Sequence, residues 1–201
     1  MPRHTFQRFL FVLCVPFAAL PAVAEPLPTT EAIKDRVMGD PNAPVTLIEY
    51  ASLACHHCAD FHANTLPRIK ERFIDTGKVK LIFRDFPFDG PAFAAAMTAR
   101  CAPPAQYFQY VSVFFENQAL WSHNPNPREA LARIAKLGGM TQDDFDGCVD
   151  NKDLFTALRQ RQIEAEQQHG IRSTPTFVLG DKTIAGNQPY EVFEKALSEP
   201  Q

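Results

Sequence analysis

Apolar residues along this chain recur in two rhythms, and each predicts a different kind of element. In "PVTLIEYASL" the short run with Val45, Ile48 and Tyr50, bounded by Pro44, predicts a strand, and "KVKLIFRDF" after Gly77 predicts a second. Between them, from Cys55 to about Thr76, Phe61, Leu66, Ile69 and Phe73 follow near-helical spacing, with Pro67 expected to kink or break the helix and Gly77 to close it. From Pro91 to His169 the pattern is helix after helix: "PAFAAAMTARCA", "AQYFQYVSVFFENQ", "PREALARIAKLG", "TQDDFDGCVD" and "NKDLFTALRQRQIEAEQQHG" are each opened or closed by Pro, Gly, Asn or Thr. "TPTFVLG" and "KTIAG", joined by the tight "GDK" turn, predict a strand hairpin, and "PYEVFEKALSE" predicts a last amphipathic helix. The order of elements describes a small α/β sheet interrupted by a helical insertion.

The amino-terminal segment changes the compartment. Arg3 and Arg8, the apolar run "FLFVLCVPFAAL" and the small-residue site in "PAVAE" ending at Ala24 are the three parts of a cleaved secretory signal. The run is shorter than the roughly 20 residues of a spanning helix and contains Pro16, which argues against an uncleaved anchor. Cys14 would leave with it. The mature chain then begins near Glu25, carries 18 basic against 23 acidic residues, and lacks the basic surface that nucleic acid requires. Export implies a compartment where disulfides persist, and four cysteines remain. Cys101 and Cys148 lie in apolar or small surroundings in the helical block, and a structural disulfide between them is expected.

The other two cysteines form "CHHC", Cys55 to Cys58, at the predicted start of a helix. One metal ion cannot take all four side chains, because His56 and His57 leave the helix roughly 100° and 200° from Cys55. No metal site is expected here. The same geometry suits electron exchange. Cys55 would sit beside unpaired N–H groups and the positive end of the helix dipole, which favour thiolate over thiol. Cys58, one turn further in, would be the shielded resolving thiol, and His56 and His57 would tune the Cys55 thiolate by hydrogen bonds or charge. His62, His123 and His169 are isolated and are expected to be surface or capping residues.

The ordered set "VTLIEYASLACHHCADFH", "VKLIFRDFPF" and "STPTFVLGDKTIAG" resembles the thioredoxin superfamily, and within it the DsbA-like periplasmic thiol:disulfide oxidoreductases, over about Val37 to Leu197. The resemblance implies a thioredoxin fold with an inserted all-helical domain. The expected segments are a signal at 1–24, the first part of the fold with CxxC at 25–90, the insertion at 91–170, and the second part with a cis-proline at 171–201. It also implies that Glu49 is the family's buried carboxylate, able to accept or return the Cys58 proton. Pro175 matches the cis-proline that presents backbone groups to an extended substrate, and Thr174 the position that tunes redox properties and partner choice. The chain departs from the best-known oxidases in having Thr174 where they carry valine, and His56 where proline is more common.

On this reading the protein, a monomer by default and without a cofactor, donates its Cys55–Cys58 disulfide to folding exported proteins and is reoxidised by a DsbB-like membrane partner. A disulfide isomerase or reductase kept reduced by a DsbD-like donor is the first alternative, favoured by Thr174. A copper- or zinc-binding module that uses the two thiolates alone is the second.

Overall fold

The structure is a computed structural model that describes Met1 and residues 27–199. The signal expected at 1–24, with Cys14, lies outside the described residues apart from Met1.

Among the described residues the sheet has five strands in the order β1-β3-β2-β4-β5. They are β1 (Arg36–Met38), β2 (Val45–Ala51), β3 (Val79–Asp85), β4 (Thr176–Leu179) and β5 (Lys182–Ala185), and a short helix, α1 (Thr29–Ala32), precedes β1. β2 runs parallel to β3, Val45 facing Val79 and Ala51 facing Asp85, and antiparallel to β4, where Leu47 faces Leu179. A parallel pair needs a crossover, and the segment 56–74 supplies it. The period of two along β2 puts Leu47, Glu49 and Ala51 on one face. On that face Leu47 packs with Phe61, Ile69, Leu81 and Phe193, under the crossover and the last helix. The opposite face carries Tyr50, which packs with Phe86 and Ala165.

The crossover departs from the expected break at Pro67. It is helical throughout, as α2 (His56–Asp60), a π-turn at Phe61–Thr65, α3 (Leu66–Ile69) and a second π-turn at Lys70–Ile74. Pro67 falls within the first two residues of α3, directly after a wide turn, so its missing N–H and bulky ring are absorbed without a break.

Between β3 and β4 in the chain come α4 (Gly90–Cys101), α5 (Tyr107–Glu116), α6 (Gln118–Trp121), α7 (Pro127–Leu137), α8 (Gln142–Val149) and α9 (Lys152–His169). Side chains fix several of their starts: Asp89 accepts from the Ala92 N–H, Thr141 and Asp144 form a capping box, and Asn151 accepts from the Leu154 N–H. Gly170, at φ +63°, ends α9 in the left-handed conformation that suits glycine. After the hairpin, α10 (Tyr190–Ser198) closes the described chain.

Two links tie this block together and to the sheet. Cys101 of α4 and Cys148 of α8 form a disulfide. Arg100, 1 % exposed, donates from Nε to Asp85 Oδ2 at 2.7 Å, from Nη1 to the Lys34 carbonyl at 2.6 Å, and from Nη2 to the Phe83 carbonyl at 3.4 Å. No helix of the described residues is long and apolar enough to cross a membrane.

Candidate active site

The short link from β2 to α2 places Cys55 at the end of the sheet. Its N–H donates to the Ser52 carbonyl at 3.0 Å, and its φ of −80° and ψ of 119° make it the extended residue capping α2. The first N–H groups of α2 therefore lie beside its sulfur with few helical partners of their own. Cys55 is partly exposed, whereas Cys58 is fully buried, and both are free thiols. Across from them the Thr174–Pro175 peptide is cis, and the Thr174 carbonyl oxygen lies 3.3 Å from Cys55 Sγ.

The two thiols differ in acidity. Cys55 is lowered to about 5, first because the Cys58 thiol donates a hydrogen bond to it. Thr174 and the main-chain N–H groups of Cys58 and His57 add to this, and partial burial opposes it. Cys58 is pushed far above the ordinary thiol range, chiefly by burial, then by its hydrogen bond to Cys55 and by the charges of Cys55 and Glu49. These shifts favour an accessible thiolate at Cys55 beside a shielded thiol at Cys58.

The two histidines between the cysteines point away. His56 and His57 are both exposed, and His56 Nε2 lies 3.4 Å from Asp60 Oδ2, one turn along. What His57 brings to Cys55 is its main-chain N–H, not its imidazole. Glu49 is 0 % exposed, below the cysteines in the middle of β2, between Phe83 and Phe177 of the neighbouring strands. Beside Cys55, a cleft of about 300 Å³ is lined by Ser52, Phe88, Arg172 and Thr174, and Phe88 is 57 % exposed. Among the described residues no three His, Cys, Asp or Glu side chains are grouped so as to hold a metal ion.

The family profile described as thioredoxin matches residues 31–199. This chain belongs to the thioredoxin family. DsbA proteins are among its structural neighbours. The crystal structure of alpha-DsbA1 from Wolbachia pipientis superposes with a TM-score of 0.76 at 33 % identity, covering 82 % of this chain and 89 % of that one. A Rickettsia prowazekii protein named as a protein-disulfide oxidoreductase is 31 % identical over 152 residues, 74 % of this chain, and the match spans 56 % of that relative's length. Disulfide bond formation protein D of Bacillus subtilis is 25 % identical over 171 residues, 80 % of this chain and 74 % of that protein.

Within this thioredoxin fold, two residues near the site escaped the sequence reading. Gln118, at the start of α6, donates through Nε2 to the carbonyls of Leu53 at 2.7 Å and Cys55 at 3.1 Å, so the helical block holds the cysteine loop directly. Nothing local marks it, because its partners are 65 and 63 residues away. His62, expected to be a surface or capping residue, is instead partly buried, its side chain 8 % exposed, with Nε2 3.0 and 3.1 Å from the two carboxylate oxygens of Glu49. Its signal was spacing: four residues after Cys58, it shares that residue's face of the helix and so turns toward the sheet.

Proposed function

We propose that this chain is an exported thiol:disulfide oxidoreductase that donates its Cys55–Cys58 disulfide to folding proteins in the periplasm. The observation that carries the reading is the inequality of the two sulfurs: Cys55, partly exposed and lowered to about 5, against a buried Cys58 pushed the other way. A stabilised thiolate favours the dithiol state of the protein, which makes its disulfide the stronger oxidant. The names of the Rickettsia and Bacillus relatives support the same class of chemistry.

In the proposed cycle a substrate thiolate attacks Cys55 Sγ, and the Cys55–Cys58 bond breaks with its electron pair leaving on Cys58. A second substrate thiol then attacks the mixed disulfide, so the substrate leaves oxidised and the protein as a dithiol. A DsbB-like membrane partner takes the two electrons back. The substrate's chain would lie extended along the backbone at Thr174 and Pro175, with an apolar side chain against Phe88.

Equilibration of the mature protein with glutathione buffers, followed by trapping of free thiols, tests the direction of transfer. The expected potential lies near the roughly −120 mV of a strong dithiol oxidant. A value near about −270 mV, typical of thioredoxin, would replace the oxidase with a reductase kept reduced by a DsbD-like donor.

A further inference from the structure

Every turn of the proposed cycle moves a proton as well as electrons. When the disulfide opens, Cys58 Sγ becomes a thiolate that must be protonated, and when it re-forms that proton must leave. Cys58 is 0 % exposed and cannot exchange it with water directly. Glu49, whose charge is felt at Cys58, is buried just as completely.

His62 is the side chain that connects this pair to the outside. It sits in the π-turn Phe61–Thr65, and wide turns of this kind re-aim side chains within a helix. Its ring is held among aromatics, with centroids 4.4 Å from Phe115, 5.7 Å from Phe61 and 5.7 Å from Phe83. Nε2 meets both oxygens of Glu49, yet the same residue lines a cleft of about 370 Å³ between α2 and α5. His56, Asp60, Glu116 and Gln118 line that cleft too. A purely structural partner for a buried carboxylate needs no such opening, and an arginine or lysine would hold the charge as well. An imidazole differs in being able to pick up and release a proton near neutral pH.

We propose that His62 is a positioning residue of the exchange reaction, passing the Cys58 proton between Glu49 and the cleft. This rests on the exchange reaction proposed above. As the substrate thiolate forms its bond to Cys55 Sγ and the electron pair of the broken disulfide leaves on Cys58 Sγ, the Glu49–His62 pair gives that sulfur one proton through the carboxyl group. His62 then takes one proton from cleft water, and the pair is restored. In the return step the proton leaves Cys58 by the same route. Among the described residues, the titratable or charged groups around the Glu49–His62 pair are His56, Cys58 and Asp60 from α2, and Tyr107 and Glu116 from α5, and the Phe83 ring of β3 lies against His62.

The test is the rate at which oxidised protein reacts with reduced glutathione across the neutral range, for the native chain, His62→Gln and His62→Ala. Dividing each variant's rate by the native rate cancels the ionisation of glutathione. Gln keeps an N–H for Glu49 but carries no exchangeable charge. We expect His62→Gln to be slowed about tenfold near neutrality, with a ratio that changes with pH. His62→Ala, which opens the site to the cleft, should be accelerated by added imidazole. A ratio for His62→Gln that is constant with pH, or a folded His62→Ala that ignores imidazole, overturns the relay. If His62→Ala does not fold, the pH ratio of His62→Gln decides alone. A native chain that does not react with glutathione defeats the exchange reading itself, whereas a reactive native chain matched by His62→Gln at every pH defeats only the relay.

Discussion

Two regions of this molecule each hold a cysteine pair beside a buried acid–base pair, and they treat them in opposite ways. Where α4 docks on the sheet, Cys101 and Cys148 are joined, and each of the three guanidinium nitrogens of Arg100 donates to Asp85 or to a main-chain carbonyl. At the end of the sheet, Cys55 and Cys58 remain thiols of unequal acidity, and Glu49 meets a single imidazole that also lines a solvent cleft. Arg100 is always charged, so its pair fixes geometry. His62 can change charge, so its pair is suited to a reaction that changes charge beside it. The same fold thus makes one buried pair a fastener and leaves the other adjustable.

The largest effect is expected from removing the accessible sulfur of the thiol pair. Cys55→Ser should lower exchange with reduced substrates by roughly 10³-fold or more. Thiolate absorbance should locate the cause, with the dithiol protein titrating at about 5 and the signal lost in Cys55→Ser. Cys55 is depressed in the folded dithiol, so its contribution to stability is complete above the unfolded thiol value of about 8.5 and is lost as pH falls through about 5. Cys58 is raised, so its contribution is complete below about 8.5 and lost above it. The disulfide form has neither titration. Melting of the two forms should therefore diverge in favour of the dithiol from pH 5 upward and turn back above about 8.5. A thiolate midpoint near the ordinary value would remove the asymmetry on which the comparison rests.

Removing the other pair should do the reverse. The Cys101–Cys148 bridge closes a loop of 47 residues, so Cys101→Ala with Cys148→Ala should cost about 4 kcal/mol by the chain-entropy estimate. Thermal melting should fall by ~8–16 °C. Exchange at a temperature where the variant is folded should stay within roughly twofold, because Cys148 packs with Phe93, Met97 and Leu154, in a cluster separate from that of Cys55 and Cys58. A large loss of exchange in the folded variant would mean that the fastener and the reactive site are coupled.

What the sequence made legible was whatever is local and contiguous. The apolar runs of β2 and β3, the helices between Gly90 and His169 and the hairpin at Thr176 all carry their signals within a few residues of themselves. So does the Cys55–Cys58 spacing. β1 has three residues and begins with Arg36, which is too little to show an alternation, and it exists because β3 offers it an antiparallel edge. Adjacency also suggested that His56 and His57 would touch the thiolate, whereas the helix turns both imidazoles outward and leaves the main chain to do it. His62 looked isolated because its partner Glu49 lies on a strand, 13 residues earlier. A periodicity of four from Cys58, crossed with a periodicity of two along β2, is what brings them together.

Gln118 offers the finest cut through the comparison, since it joins the helical block to the cysteine loop without a charge or a sulfur. Gln118→Ala deletes two hydrogen bonds, to the carbonyls of Leu53 and Cys55, and should cost about 1–2 kcal/mol. Those carbonyls belong to the link that sets Cys55 against the first turn of α2, so loosening it weakens the hold of the His57 and Cys58 N–H groups on the thiolate. The thiolate titration should then move upward from about 5, a direction that loss of the distant Cys101–Cys148 bridge does not produce. If melting falls but the titration stays in place, the loop is held by α2 and the Thr174 side alone, and the helical block acts on stability only.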